Sequence, residues 1–296
     1  MSAPAQICYF ADAGFEHCTL VSLASLLETT RHALAVSLFL DAPSPWAEGR
    51  IAALRRAHGD RAELHLRPLP DLAGRAGQRG HISGATLARL HLPDLMSGRV
   101  LHLDGDTLIR ADLGAVTGHD LGSALIAGVR SEYFWRARRA AERLPPGPWR
   151  AHFARQAAKA RVAGQDLGGC YINAGVVLYD LDRIAGTSLE AEMKDTARAE
   201  GFRLRDQDLL NLVFRDRIDL LPPEYNSVWG AVATGAWPLT RSEREAYRAA
   251  RRDPAVLHFA GRRKPWNSRG GWHPARRAFV REWQAAAARL EALPAA

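Results

Sequence analysis

The sequence is poor in cysteine and lysine, and it lacks a long apolar run. Its three cysteines, Cys8, Cys18 and Cys170, are odd in number and scattered, which argues against a disulfide framework, matches no zinc-site spacing and favours a reducing compartment. No stretch of about 18 apolar residues occurs, so no transmembrane helix is predicted. The N-terminal segment MSAPAQICYFADAG lacks the basic and apolar regions of a signal peptide. These absences predict a cytoplasmic protein.

The composition is that of a core-forming globular protein, since 47% of the 296 residues are apolar and 24% are charged. The net charge of +8 is unevenly distributed. Residues 241–296 hold 13 Arg and Lys against 5 Asp and Glu, while the rest of the chain balances at 27 of each sign. A basic C-terminal segment suggests an anionic partner, which is nucleic acid, a membrane surface or an acidic substrate. A solvated, arginine-rich face is the alternative.

Apolar runs and helical periodicity alternate along the first hundred residues. Strands are predicted over 6–12, 34–41, 62–69 and 99–104, with helices over 16–29, 44–59 and 83–96 between them. This alternation predicts an α/β fold with a Rossmann-like, mostly parallel sheet that binds ligands at the carboxyl ends of its strands. Asp12, Asp104 and Asp106 all stand at such ends.

Residues 130–166 interrupt this pattern. The segment is basic and aromatic with a proline-rich break, which predicts an excursion over the active face that serves as a lid or an acceptor wall. Further elements are predicted as a strand over 175–180, a helix over 205–214 and a strand over 217–222. The chain after Pro222 is predicted to be loop-rich. With no internal repeat and no long linker, one domain over 1–266 with a basic C-terminal extension over 267–296 is favoured.

Two aspartates, Asp104 and Asp106, follow the strand RVLHL with only a glycine between them. Two carboxylates at the end of a buried strand repel each other and lose solvation, so something must offset that cost. They are hard oxygen ligands at a spacing that suits Mg²⁺ or Mn²⁺, with a substrate phosphate completing the shell. A solvated turn with an N-capping aspartate is the alternative, because the chain holds three Asp-x-Asp triplets.

The segment VLHFAGRRKPW, residues 256–266, is a second apolar run that ends in a polar loop. His258 is a candidate third ligand, since a neutral imidazole suits Mn²⁺ better than Mg²⁺; the alternative is a satisfied core histidine. Lys264 is one of three lysines against 37 arginines, and a compact ammonium suits a phosphate held as a point charge. Gly261 would let the backbone approach the same phosphate.

Four segments resemble, in order, the family 8 glycosyltransferases: LHLDGDTLIRADL, YINAGVVLYDL, DQDLLN and HFAGRRKPW. The resemblance covers most of the chain and is nearest to bacterial members that build lipopolysaccharide outer-core sugars. It implies a GT-A type fold and a retaining, metal-dependent transfer of glucose or galactose from a UDP-sugar to a saccharide or glycolipid acceptor. The implied cofactor is Mn²⁺, with Mg²⁺ as the alternative.

The resemblance assigns a role to each candidate residue. The implied metal ligands are Asp104, Asp106 and His258. The implied catalytic side chains are Asp206 and Gln207, beside the anomeric carbon, and Arg89, near the donor sugar. The implied donor-binding residues are Asp12 and Phe15 at the uracil, Asn173, Ala174 and Gly175 at the sugar, and Gly261 and Lys264 at the diphosphate.

Several of these residues also suit purely local roles. Asp12 and Asp206 are placed to cap the helices that follow them. Phe15 suits a core position, Asn173 suits a turn, and Arg89 suits a surface ion pair.

The C-terminal segment interleaves arginine with four aromatic residues, Trp266, Trp272, Phe279 and Trp283. Aromatic and basic residues together suit an anionic membrane interface, which predicts peripheral attachment to the cytoplasmic leaflet through this tail. Packing of the aromatic rings on the domain is the alternative.

Two further questions stay open in the sequence. Retaining transfer proceeds either through a covalent intermediate or by front-face attack, and the resemblance makes Asp206 and Gln207 the nearest candidate nucleophiles for the former. We favour front-face attack, because neither is a convincing nucleophile and the amide of Gln207 is a poor one. A sugar nucleotidyltransferase and a basic nucleic-acid-binding module are the rival functions. The first normally carries a basic phosphate loop after its first strand, which FADAGFEHC lacks, and no recognised nucleic-acid motif supports the second.

Overall fold

The computed structural model describes residues 3–69, 84–229, 238–267 and 273–294. The strands are β1 (Ala5–Ala11), β2 (Leu34–Leu40), β3 (Ala62–Pro68), β4 (Arg99–Leu103), β5 (Thr107–Ile109), β6 (Ile126–Arg130), β7 (Arg161–Val162), β8 (Gln165–Asp166), β9 (Ile172–Asp180), β10 (Ile218–Leu221), β11 (Ser227–Val228) and β12 (Val256–His258). The α-helices are α1 (Glu16–Thr29), α2 (Pro45–His58), α3 (Gly84–Ala88), α4 (Leu92–Leu95), α5 (Gly114–Thr117), α6 (Glu132–Arg143), α7 (Pro148–Ala157), α8 (Leu181–Ile184), α9 (Ser188–Met193), α10 (Thr196–Glu200), α11 (Asp206–Val213), α12 (Arg241–Arg252) and α13 (Pro274–Ala292). Three 3₁₀ turns cover Arg89–His91, Ala158–Ala160 and Pro223–Asn226.

The central sheet has seven strands in the order β10-β6-β9-β4-β1-β2-β3. All pairs are parallel except those of β9, which runs antiparallel to both of its neighbours, β4 and β6. The amino end of β9 therefore lies at the same sheet edge as the carboxyl ends of β1 and β4. This mixed, mostly parallel sheet confirms the predicted fold class.

A second, three-stranded sheet in the order β11-β12-β5 joins two distant parts of the chain. In the antiparallel pair of β12 with β5, His258 lies opposite Thr107. The backbone N–H of Phe259 donates to the carbonyl of Asp106 at 2.9 Å. This register places the His258 side chain beside Asp106.

The central sheet separates two apolar layers, because successive side chains of a strand point to opposite faces. Along β1, Ile7 and Tyr9 belong to one core cluster, and Cys8 and Phe10 belong to the other. The first layer contains buried residues of α1, α2 and α13, and the second contains those of α3 and of α8 to α11. A fully covered sheet explains why the predicted strands are almost continuously apolar.

The chain after Pro222 differs from the prediction, because it forms two helices rather than a loop-rich region. The first, α12, begins at a capping box in which Thr240 and Glu243 satisfy each other's backbone N–H groups. The second, α13, buries a stripe of residues that recur at helical spacing, namely Phe279, Val280, Trp283, Ala286 and Leu290. This stripe packs in the same core cluster as α1, so the predicted extension shares its core with the rest of the chain.

Two other predicted elements have different bounds in the structure. The helix predicted over 83–96 is divided, because a 3₁₀ turn follows α3 and Pro93, in the first turn of α4, cannot continue the hydrogen-bond ladder; its predicted start, Ser83, lies outside the described residues. The strand predicted from residue 175 begins at Ile172, so Ile172, Asn173 and Ala174 also belong to the sheet.

The excursion over 130–166 contains α6, α7 and the β7–β8 hairpin. Within the described ranges, no helix is both long and apolar enough to span a bilayer.

Candidate active site

One cleft at the carboxyl edge of the sheet contains every residue that the sequence predicted for the site. The contributions are Asp12 and Phe15 from the turn after β1, Arg89 from the first 3₁₀ turn, Asp104 and Asp106 from the turn after β4, Asn173, Ala174 and Gly175 from the start of β9, Asp206 and Gln207 from the start of α11, and His258, Gly261 and Lys264 from β12 and the loop after it. No two of these segments are neighbours in sequence, and the sheet topology brings them together.

Asp104, Asp106 and His258 form a cluster whose ligand atoms all lie within 4.8 Å of one another. The His258 Nε2 atom lies 3.2 Å from Asp106 Oδ1 and 3.7 Å from Asp104 Oδ2. Asp106 and His258 are almost fully buried, while Asp104 is half-buried and faces the cleft. Two carboxylates and one imidazole are the donor types that Mn²⁺ accepts, so the side chains fit a divalent cation.

Gly175 is required where β9 passes this cluster. A Cβ atom at this position would lie 2.3 Å from His258 Cε1 and 2.9 Å from Asp104 Oδ2, so these two side chains would have to shift to admit it. The carbonyl of Gly175 also accepts the backbone N–H of Asp104 at 2.8 Å. The absence of a side chain therefore lets β9 form one wall of the candidate metal site.

Lys264 is buried against the same cluster. Its Nζ atom donates to Asp106 Oδ2 and, at 2.9 Å, to the carbonyl of Phe259. Burial alone would raise the pKa of Asp106, but His258 and Lys264 outweigh it and hold that pKa well below its usual range. Gly261, three residues before Lys264, has a φ of +92°, a conformation that favours glycine. The ammonium and the glycine turn face the same cleft.

Arg89 joins the metal cluster to the start of α11. Its Nη2 atom donates to Asp104 Oδ1 at 2.8 Å, and its Nε atom lies 3.1 Å from Asp206 Oδ2. Its Nη1 atom donates to the carbonyl of Ala174 at 2.6 Å. The side chain is only 5% exposed, and its two acidic partners overcome the effect of burial to raise its pKa. Arg89 is thus a buried cation inside the site, and a surface ion pair is excluded.

Asp206 is a buried carboxyl group with an unusual ionisation. Burial raises its pKa to about 6, with Arg89 opposing the shift and Asp104 adding to it. Its Oδ2 atom contacts Arg89, and the residue is only 3% exposed. Its carboxylate is therefore fully charged only above the pH range in which surface aspartates ionise.

Asn173 and Gln207 belong to one hydrogen-bond network. The Nδ2 group of Asn173 donates to Gln207 Oε1 at 3.2 Å, and the backbone N–H of Ala174 donates to the same oxygen at 3.1 Å. The Nε2 group of Gln207 donates to the hydroxyl of Tyr171 at 3.2 Å, and that hydroxyl donates to Asp208. Every polar atom of the Gln207 side chain is therefore engaged by the protein.

Asp12 and Phe15, in the turn after β1, form a further part of the cleft wall. The Asp12 Oδ1 atom accepts the backbone N–H of Phe15 at 3.1 Å, so this residue performs the local turn role and also lines the cleft. The half-buried ring of Phe15 meets Trp266 edge-on, with 6.2 Å between ring centroids. Lys264 Nζ lies 5.6 Å from the centre of the Phe15 ring, which links this aromatic pair to the metal cluster.

Sequence reasoning missed several polar residues that support the site. Asn226 is 4% exposed, and its Oδ1 atom lies 2.9 Å from His258 Nδ1. Tyr171 and Asp208 hold Gln207 in place. Asp208 belonged to a visible Asp-x-Asp triplet, but Asn226, within the segment PPEYNSVW, carries no local signal beyond a turn.

A second cavity adjoins the cleft, and Asn173 and Ala260 line both. Its other walls come from the start of α6, from the 3₁₀ turn before β11, and from α12. Polar side chains at this cavity include Arg130, Tyr133 and Tyr247. The first residues of the predicted excursion therefore border the site from the side of β9.

The chain is similar to proteins of one known family. Residues 6–270 match the sequence model of the family "Glycosyl transferase family 8". General stress protein A of Bacillus subtilis (strain 168) is 24% identical over 201 residues, which are 65% of this chain and 63% of that protein. The lipopolysaccharide 1,2-glucosyltransferase of Escherichia coli (strain K12) is 24% identical over 184 residues, 61% of this chain and 48% of that protein. The chain thus spans about half to 63% of the length of these relatives.

Solved structures share the fold. The galactosyltransferase LgtC superposes with a TM-score of 0.70 at 22% identity, over 98% of this chain and 97% of that one. The bifunctional glycosyltransferase WbbM gives 0.74 at 22% identity, over 97% of this chain and 50% of that one. These likenesses assign a GT-A type fold. Because the family match covers most of the chain, this protein belongs to glycosyl transferase family 8.

Proposed function

We propose that this glycosyltransferase moves glucose or galactose from a UDP-sugar to a saccharide or glycolipid acceptor, with retention at the anomeric carbon. The observation that carries the proposal is the convergence of Asp104, Asp106 and His258 with two buried cations, Lys264 and Arg89, in one cleft. These charged groups would neutralise the diphosphate of a donor and would hold it beside the donor's sugar. Lipopolysaccharide or another surface glycan is the proposed context, as in the E. coli relative.

The residues divide the work between the leaving group and the sugar. Asp104, Asp106 and His258 would hold Mn²⁺, with Mg²⁺ as the alternative, and such a cation supplies charge neutralisation to a departing diphosphate. Lys264 places an ammonium beside the same cluster, and the Gly261 turn leaves room for a phosphate to approach. Catalysis then rests mainly on electrostatic stabilisation and positioning.

The sugar would lie between the start of β9 and the start of α11. Asn173, Ala174 and Gly175 would form one wall, and Asp206 and Gln207 would face the anomeric carbon. We favour front-face attack, because Asp206 is buried and contacts Arg89, and both polar atoms of Gln207 are engaged. The leaving phosphate oxygen would then accept the acceptor proton. A sugar adduct trapped on Asp206 and identified by mass spectrometry would refute this mechanism.

The base and the acceptor would occupy opposite ends of the cleft. Asp12 and Phe15 would hold the uracil, the former through a carboxylate oxygen and the latter through its ring. The acceptor would enter from the second cavity, which shares Asn173 with the donor cleft. Arg130 and Tyr247 on its walls offer one cationic and one hydroxyl contact for that acceptor.

A donor screen tests the proposal. Hydrolysis of UDP-glucose, UDP-galactose and UDP-N-acetylglucosamine is measured with Mn²⁺, with Mg²⁺ and with EDTA. We expect metal-dependent release of UDP from one of the two hexose donors, and its loss in Asp104→Asn. The matched control is Asp182→Asn, which alters the exposed aspartate of another Asp-x-Asp triplet outside the cleft. Equal hydrolysis in EDTA, or equal activity of the two variants, would contradict the proposal.

Contact with an anionic membrane is proposed through a different surface from the one that the sequence suggested. Phe279 and Trp283 of the C-terminal segment are 8% and 3% exposed within the core, so they are unavailable to lipid. Trp272 lies outside the described residues, and Trp266 packs on Phe15 at the cleft. For Phe279 and Trp283, the alternative of packing on the domain therefore replaces the predicted contact with lipid.

The helix α7 offers the better surface. None of its residues is buried, and its Trp149 is 71% exposed. The segment 143–165 contains five basic residues and no acidic one. Tyr133, which borders the second cavity, bonds to Gln156 of α7, so this surface adjoins the proposed acceptor entrance. We therefore place the contact with a cytoplasmic, anionic leaflet on α7.

Vesicle co-sedimentation distinguishes the two surfaces. Binding to phosphatidylcholine vesicles is compared with and without phosphatidylglycerol. The triple variant Trp149→Ala, Arg150→Ala, Arg155→Ala should lose binding, while Arg277→Ala with Arg281→Ala, on the exposed face of α13, should keep it. Loss of vesicle binding only in the α13 variant would assign the membrane contact to the C-terminal tail. Binding that does not depend on phosphatidylglycerol would contradict an anionic-membrane contact through either surface.

A further inference from the structure

The two ring nitrogens of His258 face different partners. Nε2 points to the carboxylates, at 3.2 Å from Asp106 Oδ1 and 3.7 Å from Asp104 Oδ2. Nδ1 lies 2.9 Å from Oδ1 of Asn226. A neutral imidazole carries one proton, and only the form protonated at Nδ1 leaves the Nε2 lone pair free for a cation. The position of that proton therefore decides whether His258 is a ligand.

The orientation of the Asn226 amide follows from its other contacts. One end of this amide lies 2.9 Å from Asn173 Oδ1 and 3.4 Å from the backbone carbonyl of Asn173. A carbonyl oxygen only accepts, so the group that faces it is the NH₂. The oxygen of Asn226 consequently faces His258, and an oxygen there requires a proton on Nδ1.

The orientation of Asn173 is fixed by the backbone in turn. The N–H of Gly175 donates to Asn173 Oδ1 at 3.0 Å, and a backbone N–H only donates. The Nδ2 group of Asn173 then donates to Gln207 Oε1, which also accepts the N–H of Ala174. Two backbone N–H groups of β9 therefore set the direction of every bond from Gln207 to His258.

We propose that Asn226 is a positioning residue that holds His258 in the Nδ1-protonated form and so presents Nε2 to the cation site. The inference rests on the proposed function, because it takes His258 as a metal ligand. Without the Asn226 oxygen, His258 would prefer the Nε2-protonated form. The Nε2-protonated form would then gain a charge-assisted hydrogen bond to the Asp106 carboxylate, and its proton would occupy the position of the cation. Partners of this kind typically change metal affinity by about 10- to 100-fold.

The first test detects the proton directly and needs neither metal nor donor. The 296-residue chain is labelled with ¹⁵N-histidine, stripped of metal with EDTA and studied at pH 8 by long-range ¹H–¹⁵N correlation spectra, which distinguish the two neutral forms. His258 is identified among the 11 histidines by the signals lost in His258→Ala. We expect Nδ1 protonation in the wild type and Nε2 protonation in Asn226→Leu.

A second measurement follows Mn²⁺ affinity by calorimetry in the same proteins. Asn226→Leu should bind Mn²⁺ about 10- to 100-fold more weakly. Asn226→Asp keeps an oxygen opposite Nδ1, so it should retain the Nδ1 proton and restore most of the affinity. This rescue assigns the effect to the oxygen that faces Nδ1 rather than to the NH₂ contacts with Asn173, because leucine and aspartate both lack the NH₂ group. The position of the histidine proton in the same variants separates this role from a general loss of packing.

The outcomes are distinct. Nε2 protonation in the wild type, or an unchanged form and affinity in Asn226→Leu, would overturn the inference. If Asn226→Leu fails to fold, the wild-type spectrum and the affinity of Asn226→Asp still decide it. If the wild type shows the expected proton but transfers no sugar from any UDP donor, the inference about His258 stands and the proposed function fails.

Discussion

The substitution Gly175→Ala places a single methyl group inside the candidate metal site. Gly175 is a residue of β9 without a positive φ, so alanine fits the backbone there. The new Cβ would lie 2.3 Å from His258 Cε1 and 2.7 Å from His258 Nδ1, with Asp104 Oδ2 at 2.9 Å. The perturbation is therefore steric and is directed at two of the three proposed ligands.

The magnitude follows from the room available. His258 would have to move by about 1 Å to reach ordinary contact, and it is 3% exposed and bonded to Asn226 at 2.9 Å. Overpacking of this kind costs about 1–3 kcal/mol. If that cost falls on the metal-bound state, Mn²⁺ binds about 5- to 150-fold more weakly. The smaller freedom of alanine in the unfolded chain offsets about 0.4–1 kcal/mol of any loss in stability.

Calorimetric titration with Mn²⁺ measures the first effect, and urea unfolding in EDTA measures the second. The matched control is Gly49→Ala in α2, where a Cβ meets nothing within 4 Å. This control should leave Mn²⁺ affinity unchanged and stabilise the helix by about 0.8–1 kcal/mol. An Mn²⁺ affinity of Gly175→Ala equal to that of the wild type would refute the steric argument and with it the placement of the cation between Asp104 and His258.

Three further predictions follow from buried groups. The pKa of Asp206 is raised to about 6 in the folded protein, so its protonated form stabilises the fold at low pH and this contribution is lost as the pH rises through 6. Urea unfolding in EDTA should therefore show the wild type losing roughly 2 kcal/mol relative to Asp206→Asn between pH 4 and pH 7. Lys264→Arg places a larger, planar cation where Nζ is buried against Asp106 and a backbone carbonyl, so UDP binding measured calorimetrically with Mn²⁺ should weaken at least about tenfold. Trp283→Ala empties a core position in α13 and should lower the free energy of unfolding by about 3–5 kcal/mol.

Each of these predictions has a contrary result. A pH-independent difference between the wild type and Asp206→Asn would show that this carboxyl ionises normally in the folded protein. Unchanged UDP affinity in Lys264→Arg would mean that a positive charge suffices at that position. A loss below about 1 kcal/mol in Trp283→Ala would show that α13 is an appendage rather than part of the core.

Local patterns determined most of the elements. The predicted strands and helices before residue 70 lie within one residue of those observed, because apolar periodicity and caps such as Ser44 act over a few residues. The exceptions have local causes of their own. The helix over 83–96 is interrupted near Pro93, and the apolar stripe of α13 was obscured by the arginines and the proline that surround it.

The types of residue in the site were also visible in the sequence. Asp104, Asp106, His258 and Lys264 stood out because carboxylates, an imidazole and a rare lysine follow apolar runs, and resemblance to a family supplied their grouping. Their distances were not visible. Lys264 and Asp106 are 158 residues apart, and they meet through the pairing of β12 with β5.

By itself, the sequence determined the α/β class, the positions of most strands and the chemical types gathered at their ends, because each depends on short-range periodicity, turns and charge. Tertiary structure alone decided that β9 runs antiparallel, so that Gly175 lies against His258, and that Asn226 faces the same ring. These features depend on strand direction, register and the direction of single hydrogen bonds, which are set by contacts between segments far apart in the chain.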